Sequence, residues 1–107
     1  IDFTKPIENH TSIALIVENK RLHVSKEILS VHSPVFSALF FQDFAEKAKE
    51  VVEIKEVDYD QFVDFLNVIY PTSTEILART VGYILTLADR FQVECALDKA
   101  ESYLLTT

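Results

Sequence analysis

Ile13, Ala14, Leu15, Ile16 and Val17 form an unbroken apolar run that stops at the polar trio Glu18, Asn19 and Lys20. Such a run is too short for a typical helix and has no alternation to give it a wet side, so the pattern predicts a strand covered on both faces. Asn19 tolerates positive φ and can turn the chain. Beyond it Leu22 and Val24 alternate with Arg21 and His23, which predicts a second, half-buried strand and hence a hairpin. Val52 and Ile54 repeat the alternation much later, so residues 51–54 are expected to return to the same sheet as its third strand.

The helices between and after these strands are marked by their caps. Ser25 stands before Lys26, Glu27, Ile28 and Leu29, where its hydroxyl can accept from an orphan first-turn amide. Ser33 and Pro34 restart the chain, with serine as N-cap and proline at the first helical position, where no hydrogen bond is lost. Asp58 caps the next helix with Gln61 three residues on, Val57 is placed to staple onto Phe62, and Pro71 ends the stripe Phe62, Phe65, Leu66, Ile69. Two further stripes, Val81, Ile84, Leu85, Ala88 and Ala96, Leu97, Ala100, Tyr103, Leu104, predict a helical hairpin that breaks near residues 91–93. The order β-β-α-α-β-α-α-α describes an α+β fold, a small three-stranded sheet covered by about five short helices. Phe36, Leu66, Leu85 and Leu97 are the expected core beneath the sheet.

Size and composition narrow the class. A chain of 107 residues, 49% of them apolar, suits one core, and a division at residue 12 into an N-terminal extension (1–11) and a core (12–107) fits the pattern. The net charge of −7 repels a phosphate backbone, which argues against nucleic acid as a partner. Between Asp43 and Asp64 eight acids face three lysines, a run of the kind that ordinarily makes a solvated face. Cys95 is the only cysteine, so no internal disulfide can form and a reducing compartment is expected, the cytoplasm with the nucleus as a second possibility. No apolar run approaches the ~20 residues needed to span a bilayer, and residues 1–10 do not read as a signal peptide. The abrupt start at Ile1 and end at Thr107 suggest a piece of a longer protein.

The sequence carries no recognisable catalytic constellation. The sole glycine, Gly82, sits inside a helical pattern rather than at a nucleophile turn or phosphate-cradling loop. His10, His23, His32 and Cys95 lack the close spacing of a zinc-binding pair. Paired acids such as Asp58 with Asp60, or Glu53 with Glu56, lie among other charges instead of in an apolar pocket that would raise one pKa. An enzyme is therefore not expected, nor a cofactor. Phe40, Phe41 and Phe44 instead place three phenylalanines within five residues, more than one helix can hide on a ~100° stripe. Phe36 and Phe40 share the core face, so Phe41 or Phe44 should protrude as a binding anchor or lie under a neighbouring loop.

The residues 22–40, and in particular Lys26, Ile28-Leu29, the Ser33-Pro34-Val35-Phe36 run and Phe40, resemble the core of the BTB/POZ family. Ala88-Asp89-Arg90-Phe91 is similar to that family's penultimate helix, and the flavour is nearest to the nematode MATH-BTB cullin-3 adaptors. This chain departs from the family pattern at Thr11-Ser12 and Ser25, and residues 1–10 do not look like the dimerising helix of long BTB domains. The resemblance implies a protein-interaction domain that pairs with a copy of itself and recruits cullin-3 for ubiquitylation, while a flanking MATH-like domain holds the substrate. It places an apolar-x-Glu motif at Phe44-Ala45-Glu46 and so a cullin-binding set of Phe41, Asp43, Phe44, Ala45 and Glu46. It puts Ile28 across the homodimer interface, with His32 nearby and Ile1 and Phe3 from the partner's N-terminal segment. The competing reading is a BTB domain used only for self-assembly in a transcriptional or cytoskeletal protein.

Overall fold

A computed structural model of the chain describes Phe3 and residues 12–41, 51–70 and 75–106. The first two strands, β1 (Ser12–Val17) and β2 (Lys20–Ser25), pair antiparallel with Leu15 opposite Leu22 and Val17 opposite Lys20. That register leaves two residues to turn the chain, and both take positive φ, Glu18 at 50° and Asn19 at 64°. Two left-handed residues give a turn whose twist matches that of the strands it joins. The third strand, β3 (Val51–Ile54), lies parallel to β1 on its other side, giving the order β2-β1-β3. β1 is thus central, and Ile13, Ala14, Leu15 and Val17 are all buried, as an apolar run without alternation requires.

A parallel return needs a crossover, and the chain supplies it as two short helices, α1 (Lys26–His32) and α2 (Pro34–Phe41). After β3 come α3 (Tyr59–Ile69), α4 (Val81–Phe91) and α5 (Glu94–Thr106). Asp58 caps α3 as expected, its carboxylate accepting from the Gln61 amide at 3.0 Å. The hairpin turn adds a second anion there: Glu18 accepts from the Tyr59 amide at 2.6 Å, while the Lys20 ammonium sits 4.5 Å over the Tyr59 ring. The α4–α5 hairpin breaks at Gln92, which adopts φ 54° as a left-handed C-cap.

The core is aromatic. Phe36 of α2 stacks on Phe91 of α4 with centroids 4.6 Å apart and planes 5° from parallel, and Phe62 meets both edge-on. Phe65 completes the group 5.9 Å from Phe91, with Leu66 fully buried beside it. Leu85 and Leu97 correct the sequence-based core: both are half-buried at its margin. The inward stripe of α4 runs instead through Ile84, Leu87, Ala88 and Phe91, and α5 turns Ala96 and Ala100 inward, where small side chains leave room for the neighbouring helix. Leu104, although part of the expected stripe of α5, faces outward, and so does Leu39 of α2.

Polar contacts outside the core lock the connections. Arg90 donates from its guanidinium to the Lys55 and Glu56 carbonyls at 2.7 and 3.1 Å, holding a loop in which Glu56 has φ 61°. The Lys99 ammonium donates to the Val68 carbonyl at 3.1 Å and so satisfies an orphan acceptor near the end of α3. The Tyr83 hydroxyl donates to the Asp64 carboxylate, tying α4 to α3; partial burial first, then that bond, push its phenol up to about 12.

Candidate interaction surfaces

The face of α1 is set by what pins each end of the helix. At its start the Ser25 hydroxyl accepts from the Ile28 amide at 3.3 Å, and the Ser25 amide donates to the Tyr70 hydroxyl at 2.8 Å. Burial raises the Tyr70 phenol above its ordinary value, and the Ser25 amide partly opposes that rise. At its end the Ser33 hydroxyl accepts from the Phe36 amide at 3.1 Å and donates to the Phe91 carbonyl, joining the α1–α2 corner to the end of α4. With both ends fixed, Leu29 points into the core. Ile28, Val31 and His32, spaced three and four apart, share another side: Ile28 and His32 are half-buried and Val31 is 81% exposed. An aliphatic side chain so exposed at a rigid corner is surface that the described residues leave uncovered.

The same corner opens into a cleft of about 680 Å³ between α1 and the α4–α5 hairpin, with Val31, His32 and Pro34 on one wall and Asp89, Cys95 and Asp98 on the other. The Cys95 Sγ lies 3.8 Å from the His32 Nδ1, and both residues are half-buried. Sequence reasoning had set these two side chains apart, because 63 positions separate them and no local pattern links them. Among the described residues no group of three or more His, Cys, Asp or Glu side chains could hold a metal ion, and no helix is long and apolar enough to cross a membrane.

The expected interface residues fall in different places. Ile28 and His32 lie on the α1 side just described. Phe3 is 3% exposed and packs within its own chain, edge-on to Tyr70 at 5.0 Å, with its carbonyl accepting from the His23 amide at 2.7 Å. The structure therefore places it in the core of the chain that carries it. Phe41 is the last residue of α2. Asp43, Phe44, Ala45, Glu46 and Ile1 lie outside the described residues.

A three-stranded sheet in the order β2-β1-β3 with an αα crossover and a C-terminal helical hairpin is matched by known proteins. Residues 4–107 fit the family model described as the BTB/POZ domain. The chain belongs to the BTB/POZ family. BTB and MATH domain-containing protein 36 of Caenorhabditis elegans is 41% identical over 103 residues, 96% of this chain and 32% of that protein. BTB and MATH domain-containing protein 38 of the same nematode is 35% identical over 104 residues, 97% of this chain and 27% of that protein. Kelch repeat and BTB domain-containing protein 1 of camelpox virus is 32% identical over 93 residues, 87% of this chain and 16% of that protein. The chain thus spans about a third or less of these relatives. Among solved structures the BTB domain of zebrafish PATZ1 superposes with a TM-score of 0.73 at 15% identity, covering 89% of this chain and 75% of that one, which shows the shared fold. The BTB/POZ domain is a protein-interaction module, and its relatives carry it beside MATH domains or kelch repeats.

Proposed function

We propose that this BTB/POZ domain homodimerises through α1 and binds the N-terminal domain of cullin-3, as part of a substrate adaptor for a cullin-RING ubiquitin ligase. The observation that carries the reading is the similarity of nearly the whole chain to two BTB and MATH domain-containing proteins, together with the uncovered apolar side of α1. In the dimer Ile28, next to the exposed Val31, packs against its symmetry mate, with His32 at the margin and Ile1 of the partner alongside. A two-fold interface meets each residue twice, so Ile28→Asp introduces two uncompensated charges and should convert the dimer to monomer in sedimentation at tens of micromolar. A wild-type chain that already sediments as a monomer there refutes the dimer.

Cullin contact is assigned to Phe41, the last residue of α2, and to Asp43, Phe44, Ala45 and Glu46, which follow it in the sequence. Phe44 acts as the aromatic anchor and Glu46 as a rim acceptor, while the acidic run of residues 43–64 influences association rate and salt dependence. Phe44→Ala should weaken binding by ~2 kcal/mol, about thirtyfold, and leave folding unchanged. Calorimetry of both chains against the cullin-3 N-terminal domain decides the matter. Equal affinities remove Phe44 from the site, and absence of binding with the dimer intact makes the domain a self-assembly module. The substrate would be held by a MATH-like domain elsewhere in the protein, with the assembly working in the cytoplasm or the nucleus.

A further inference from the structure

We draw no further inference here: the strongest candidate, the apolar groove of about 630 Å³ between residues 75–77 and the second half of α5, is lined by Ile76, Leu77, Lys99 and Tyr103, and nothing in the structure shows what covers it.

Discussion

The helices of this domain show two kinds of surface. Beneath the sheet, α2, α3 and α4 close on one another through Phe36, Phe62, Phe65 and Phe91, all four of them buried. At the α1–α5 corner the same chain leaves a cleft with an exposed Val31, a thiol and an imidazole. The difference follows from the side chains available. Large planar rings interlock in offset and edge-on pairs that order the helices carrying them. Val31, Pro34 and the acidic residues of α4 and α5 cannot fill the space opposite them, so the corner stays open for a partner. Ser33 sits where the two regions meet, fully buried, capping α2 while bound to the Phe91 carbonyl.

Three substitutions separate these regions. Phe91→Ala takes the central ring out of the aromatic group and should lower stability by ~3–5 kcal/mol, seen as a large fall in the urea midpoint; an unchanged midpoint would show that the rings do not form one cooperative core. Ser33→Ala should cost about 1–3 kcal/mol, because it leaves the Phe36 amide and the Phe91 carbonyl buried without their partner. Its effect should exceed that of an ordinary exposed cap, and a loss under ~0.5 kcal/mol would mean that water enters the corner and replaces the hydroxyl. Val31→Ser, at the open corner, should shift the midpoint of a dilute, monomeric chain by no more than ~0.5 kcal/mol. At high concentration it should weaken self-association, and a dimer constant identical to wild type would take Val31 out of the interface.

Much of the fold is written locally. The apolar run of residues 13–17 could only be a strand buried on both faces, and it became the central strand β1. Ser25, Ser33 and Asp58 each accept from a first-turn amide, so the helix starts were legible from the residues themselves. Leu85 and Leu97 were not, because a leucine at the flank of a stripe is indistinguishable in sequence from one at its centre. The packing of α4 and α5 on the rest of the chain assigns the inward positions, and here Ala88, Ala96 and Ala100 take them.

The candidate surfaces divide in the same way. The crowding of Phe40, Phe41 and Phe44 is a sequence property and needs no coordinates to be noticed. That Phe3 belongs to its own chain's core was decided by long-range packing against Tyr70 and by the His23 amide, neither of which leaves a trace near residue 3. The meeting of His32 with Cys95 arises in the same manner, across 63 positions. The sequence by itself determined element types, order and caps, since these depend on neighbours within a few residues. Only the tertiary structure decided which side chains meet across the corner, because chain closure brings distant residues together with no periodicity to announce it.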